Sequence, residues 1–128
     1  MAYKYIYEYL QNVTTNHYFS NDHYHWNSKA YGRYSCSRIS YTYYENSKSK
    51  IKDRFGDKPE KWPDTLKFAR MARNAFGHRG QLEIRNPKDS STWRGLTLNY
   101  KNNGETMLYN HITGGDIILL MLDIDDIF

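Results

Sequence analysis

The chain has 128 residues and a mass of 15.3 kDa, room for one domain over residues 1–128 with one core. Its net charge of +4 and pI of about 9.1 suit a polyanionic partner such as nucleic acid without demanding one, and the single cysteine, Cys36, excludes both an intramolecular disulfide and a cysteine-based zinc site. The apolar 39% contains 13 Tyr, so the aliphatic core is lean and aromatic rings must fill it, while an aromatic fraction of 16% excludes a disordered chain.

The N-terminal Met-Ala-Tyr-Lys-Tyr lacks the apolar region of a secretory signal, and the longest apolar run, Ile117 to Leu122, is far short of a membrane span. The expectation is a cytoplasmic protein with no membrane association. Tyr3, Tyr5, Tyr7 and Tyr9 alternate like a strand face, yet Tyr3, Ile6, Tyr7, Leu10 and Val13 also form a helical stripe. Glu8, Leu10 and Gln11 favour the helix. A second helix runs from His23 to Phe55, capped by Asn21 or Asp22, with a break expected near Gly32 and a stop at Gly56. Tyr24, Asn27, Tyr31, Tyr34, Arg38, Tyr41 and Glu45 share one side of it. Pro59 and Pro63 bound a loop, and Pro63-Asp64-Thr65 opens a third helix with an apolar face of Leu66, Ala69, Ala72, Ala75 and Phe76. The small alanines permit close approach of another helix.

After Gly80 the periodicity becomes alternating. Leu82–Ile84, Trp93–Tyr100 and Thr106–Tyr109 read as three short strands of an antiparallel β element over about 82–109. Thr113-Gly114-Gly115-Asp116 opens a C-terminal helix with Asp116 as its cap and Ile117, Leu120, Met121, Ile124 and Phe128 as its stripe. Asp123, Asp125 and Asp126 sit at the end where the helix dipole disfavours carboxylates; a basic partner surface is the one reason at hand. The fold class is therefore mainly α, a small helical bundle with a short β element and a C-terminal helix.

Chemistry concentrates in Arg70-Met-Ala-Arg73-Asn74-Ala-Phe-Gly-His78-Arg79. Arg70, Asn74 and His78 are spaced to share a helix face, and Arg73 converges on His78 only where the helix loosens, at Gly77. Guanidinium groups grip a phosphodiester by two bonds at once, and a histidine near neutrality exchanges a proton. RNA carries its own nucleophile, the 2′-hydroxyl, so such a set cleaves RNA without a metal.

Arg73-Asn74-Ala75-Phe76-Gly77-His78 resembles the motif of the HEPN superfamily, an Arg and a His separated by a few residues, with a polar residue, often Asn, after the Arg. The resemblance implies a small HEPN-like helical bundle and a metal-independent endoribonuclease of bacterial defence or toxin–antitoxin type. It implies no cofactor, a homodimer that brings two motifs into one cleft, and an antitoxin or defence-system partner protein. By that resemblance Arg73 contacts the scissile phosphate, His78 is general base or acid, and Asn74 orients them. Arg70 and Arg79 are substrate-steering or solvated. Gly80 stands where antitoxin-paired members often carry Tyr, and the β-rich stretch lies outside the minimal bundle, as an insertion shaping the cleft. The alternative function is a catalytically silent HEPN-like module that binds RNA, nucleotide or a protein partner; a structural interaction protein is a third class.

Plainer readings stand beside these. His78-Arg79-Gly80 is also a normal helix end, with cations complementing the dipole. His17, His23 and His25 read as surface histidines rather than a metal site. The three C-terminal aspartates lack the glycine and distal Glu of a calcium loop, and Gly114-Gly115 is a turn rather than a phosphate cradle. The tyrosines suit core and dimer packing more than base stacking, and Arg94 reaches the cleft only if the hairpin folds back.

Overall fold

The computed structural model describes residues 1–18 and 28–128. Among the described residues four α-helices carry the fold: α1 (Ala2–Tyr18), α2 (Ser28–Phe55), α3 (Asp64–Gly77) and α4 (Gly114–Ile127). An antiparallel hairpin, β1 (Ser90–Trp93) and β2 (Leu96–Asn99), is inserted between α3 and α4. The cap expected at Asn21 or Asp22 and the residues Tyr24 and Asn27 lie outside the described residues, as do His23, His25 and the His17 side chain.

The alternating tyrosines of the first segment belong to a helix, but the face differs from the expected stripe. Ala2 and Tyr5 enter the core, whereas Tyr3, Tyr7 and Leu10 face outward. The Tyr5 ring meets Tyr43 edge-on at 5.4 Å, and its hydroxyl accepts a bond from the Asn46 amide. A tyrosine is retained inside because both its ring and its hydroxyl find partners there.

Helix α2 runs unbroken through Gly32 and stops where expected, with Gly56 at a φ of 80° and its N–H on the Lys52 carbonyl at 2.8 Å. Tyr43, Tyr44, Ile39 and Ile51 are its inward residues. The proline-bounded loop contains a 3-10 turn, Pro59–Lys61, and the buried Trp62 donates from Nε1 to the Gly56 carbonyl at 2.9 Å.

Helix α3 lies between α2 and β1. Its inner face is wider than expected, adding Phe68 and Met71, while Phe76 is half-buried. Ala69, Ala72 and Ala75 are all buried inside the chain, so the close approach they allow is used within the fold rather than left for a second copy. The Phe68 and Trp93 rings lie 5.4 Å apart, and Ser91 Oγ donates to Met71 Sδ at 3.2 Å, which seats the hairpin on α3.

The stretch read as one strand from Trp93 to Tyr100 instead turns back on itself. Arg94 and Gly95 have φ of 47° and 80°, the signature of a two-residue type I′ turn, and Trp93 pairs with Leu96 across it. Arg94 tolerates the left-handed conformation because its guanidinium is anchored on Asp123 by two bonds, Nε at 2.8 Å and Nη2 at 2.9 Å. Leu82–Ile84 and Thr106–Tyr109 are not sheet strands; they meet through the isolated bridge Gln81–Thr106 and local backbone bonds.

Thr113, not Asp116, caps α4. Its hydroxyl accepts from the Asp116 N–H at 3.3 Å, and the Asp116 carboxylate accepts from the Thr113 N–H at 2.9 Å, a reciprocal capping box. Of the expected stripe, Ile117, Leu120, Met121 and Ile124 are buried, whereas Phe128 is exposed and meets Phe55 edge-on at 6.2 Å. Two of the three aspartates at the acidic end of α4 have their counter-groups inside this chain, while Asp126 is exposed. Asp123 accepts from Arg94 and from Trp93 Nε1 at 2.8 Å, and Asp125 from the Ala2 N–H at 2.6 Å and the Tyr43 hydroxyl at 2.5 Å. No partner surface is needed to explain Asp123 and Asp125.

Candidate active site

Arg73 leaves α3 toward α2, where one turn of helix presents Tyr41 and Glu45 on the same side. Its Nε donates to Glu45 Oε1 at 2.5 Å, Nη1 to Asn74 Oδ1 at 3.0 Å and Nη2 to the Tyr41 hydroxyl at 3.1 Å. The guanidinium also lies over the Tyr41 ring, 4.6 Å from its centroid. Three neighbours thus fix one planar group, which is half-buried. Gly77 keeps that arrangement open: a Cβ there would meet the Tyr41 ring at 3.3 Å.

Glu45 also accepts an ion pair from Lys48 at 2.9 Å. Partial burial pushes the Glu45 carboxyl up, but Lys48 and Arg73 outweigh it and hold the group below its ordinary value. Tyr44, buried beside this group, is pushed up to about 12 by desolvation, against the pull of Arg70 and Arg73. Arg70 therefore adds positive potential to the Arg73 neighbourhood from one turn earlier on α3.

The helix ends at Gly77, as the loosening there requires. His78 is the C-cap residue, at φ −118° and ψ 50°, so the spacing of four from Asn74 does not continue the Arg70–Asn74 row. Arg79 follows at φ 61° and Gly80 at 81°, and the Gly80 N–H closes the helix on the Ala75 carbonyl at 2.8 Å. Arginine occupies the left-handed position where glycine usually ends a helix. The His78 side chain is 54% exposed, and its Nε2 lies 2.8 Å from Glu83 Oε2. Among the described residues no hydrogen bond joins His78 to Arg73 or Asn74; the two functional groups each hold a different carboxylate.

Sequence reasoning singled out Arg73, Asn74 and His78, and passed over Tyr41, Glu45 and Glu83 as site residues. Tyr41 and Glu45 were legible as an i, i+4 pair on α2, but nothing in a one-dimensional pattern says that this side faces Arg73. Glu83 was signalled by its place between two buried apolar residues, Leu82 and Ile84, which sends its side chain outward. Arg94, expected at the cleft only on a folded-back hairpin, is held by Asp123 at α4. Among the described residues no group of three or more His, Cys, Asp or Glu is placed to hold a metal ion, and no helix is long and apolar enough to cross a membrane. Comparison with protein-family models, with curated proteins and with solved structures gives no match.

Proposed function

We propose that the chain is a HEPN-like, metal-independent endoribonuclease that cleaves RNA by attack of the 2′-hydroxyl, in a bacterial defence or toxin-like role. The observation that carries this reading is the Arg73 clamp. A planar guanidinium is held by Tyr41, Glu45 and Asn74 at the end of a helix that releases a half-exposed His78 onto non-helical backbone. Asn74 accepting from Arg73 matches the orienting role that the motif assigns it.

In the reaction, the phosphodiester takes the place of Glu45 on Arg73, one anion exchanged for another. His78 accepts the 2′-hydroxyl proton, the 2′-oxygen bonds to phosphorus, and the bond from phosphorus to the 5′-oxygen breaks. The products are a 2′,3′-cyclic phosphate and a 5′-hydroxyl. The departing 5′-oxygen needs a proton, and a second copy of the chain supplies it from a protonated His78 of its own, which is why a homodimer belongs to the proposal. Arg70 and Arg79 steer the substrate strand. A defence-system or antitoxin protein is the expected partner.

RNA bearing a 2′-deoxy or 2′-methoxy nucleotide at the cut site is expected to resist cleavage while still binding; cutting of that substrate contradicts the proposal. The second reading, a silent module that binds RNA without turnover, is favoured by one observation: Glu45 already neutralises Arg73. Affinity for RNA at low salt with no cleavage under any condition selects it.

A further inference from the structure

We infer that Tyr41 is a further phosphate-binding residue, whose hydroxyl donates its proton to a non-bridging oxygen of the phosphate that Arg73 grips. This inference rests on the ribonuclease reading of the site and adds to it a neutral donor on α2 beside the cations of α3.

A phenol hydroxyl carries one proton and accepts through its oxygen. The Tyr41 oxygen accepts from Arg73 Nη2 at 3.1 Å. That bond uses a lone pair and leaves the proton, which no acceptor among the described residues holds; in particular, no bond joins Tyr41 to Glu45. The neighbouring tyrosines of α2 differ. Tyr43 gives its proton to the Met121 carbonyl at 3.0 Å and to Asp125 Oδ1 at 2.5 Å, and Tyr44 is buried. Tyr41 is half-buried, so its proton is open to a ligand.

The chemistry around that proton selects an anion. Arg73 Nε and Nη2 are bonded to the same carbon; Glu45 Oε1 takes the first at 2.5 Å and Tyr41 the second. An anion that replaces Glu45 on Nε therefore arrives beside the Tyr41 hydroxyl. Glu45 does not leave uncompensated, because its Oε2 is already on Lys48 at 2.9 Å. Asn74 stays on Nη1 at 3.0 Å, so the guanidinium keeps its plane while N–H bonds are left for the phosphate. A phosphate oxygen is an acceptor with lone pairs enough for both an Arg73 N–H and the Tyr41 O–H. The hydroxyl keeps its proton throughout; its bond strengthens as negative charge gathers on the phosphate oxygens during attack. The ring is seated independently of the hydroxyl. It lies under the guanidinium, 4.6 Å from centroid to Cζ, in space that Gly77 leaves open.

The test uses inorganic phosphate as well as RNA. Tyr41→Phe keeps the ring under the guanidinium and removes only the hydroxyl. Affinity for inorganic phosphate at low salt is expected to fall about tenfold, as for loss of a hydrogen bond to a charged group, and the KM for RNA to rise by a similar factor. In the unmodified chain the ¹³Cζ signal of Tyr41 is expected to move as phosphate is added and to stay in place with sodium chloride at equal ionic strength. The Arg73 Nε–H signal of the phosphate-free chain is expected to be the same in Tyr41→Phe, which separates loss of a donor from a displaced Arg73. Phosphate affinity within about twofold of the original, a Tyr41 signal that does not respond to phosphate, or a loss of affinity accompanied by a shifted Arg73 signal overturns the inference. Phosphate held through Tyr41 by a chain that cuts no RNA overturns the ribonuclease reading and leaves the phosphate contact standing. RNA cleavage with a phosphate affinity indifferent to Tyr41→Phe overturns the contact and leaves the ribonuclease reading standing, so the two failures are distinct.

Discussion

Single residues divide into those that hold the site together and those that act on substrate. Arg73 does both, since its fork contacts Glu45, Asn74 and Tyr41. Arg73→Ala is expected to abolish cleavage and to cost about 1 kcal/mol of stability, because Glu45 keeps only Lys48 as partner. Arg73→Lys retains the charge but not the fork, and is expected to keep RNA affinity while losing most of the rate. The His78 side chain is more than half exposed and pairs with a carboxylate at the surface, so His78→Ala is expected to lose about 10²–10⁴ in rate with an unchanged melting temperature. A variant that unfolds makes the residue structural. Arg79 is an opposite case. An arginine at φ 61° is strained, and Arg79→Gly is expected to stabilise the fold by about 1 kcal/mol while weakening RNA binding. Denaturant titration paired with RNA binding reads both; a destabilised Arg79→Gly means the side chain has a structural contact that outweighs the strain.

At the scale of elements, the helices were legible because apolar periodicity and stop signals agree. Gly56 and Gly77 end α2 and α3 where the sequence places the breaks. The face of α1 was not legible, since tyrosines suit either side and the choice fell to Tyr5, whose hydroxyl finds Asn46. The antiparallel β element between α3 and α4 was legible, but its turn was not, because Arg94-Gly95 is not one of the usual turn pairs, and what permits it is a contact from Asp123, about thirty residues on. The same holds for the candidate site: its motif residues are contiguous and readable, whereas Tyr41, Glu45 and Glu83 come from separate segments that only folding brings near. The end of α3 tests the link between element and site. Gly77→Ala gains helix propensity but pushes on the Tyr41 ring at 3.3 Å. Its stability is expected to stay within about 1 kcal/mol of the original, and its cleavage rate to fall as Tyr41 and Arg73 shift. An unchanged rate would show that Tyr41 does not set the position of Arg73.

For the whole molecule, three of the carboxylates that join distant segments lie below their ordinary values. The Arg94 bonds lower Asp123 against the opposing effect of burial. Burial raises Asp125, but Tyr43 and the Ala2 N–H outweigh it, and Glu45 is lowered by Lys48 and Arg73 in the same way. Groups depressed in the folded state contribute stability that is complete above their unfolded values, near about pH 4.5, and is lost as pH falls through the lower folded ones. Thermal melts across that acid range are expected to show a steep decline, flattened in Asp123→Asn. The proposed dimer has to use surface other than the alanine face of α3, which is already buried; the exposed end at His78 and Arg79 is the place for its two-fold axis. Two cationic ends meeting there repel until a phosphate lies between them, so light scattering across a dilution series is expected to show RNA tightening the dimer; a fully active monomer removes the second His78 from the mechanism. Metal-independent cleavage by the 2′-hydroxyl is checked by incubating the purified chain with single-stranded RNA in EDTA and determining the product ends. The unmodified chain is expected to leave 2′,3′-cyclic phosphates and 5′-hydroxyls, and His78→Ala none; intact RNA, 5′-phosphate ends, or equal cleavage by His78→Ala contradicts that chemistry.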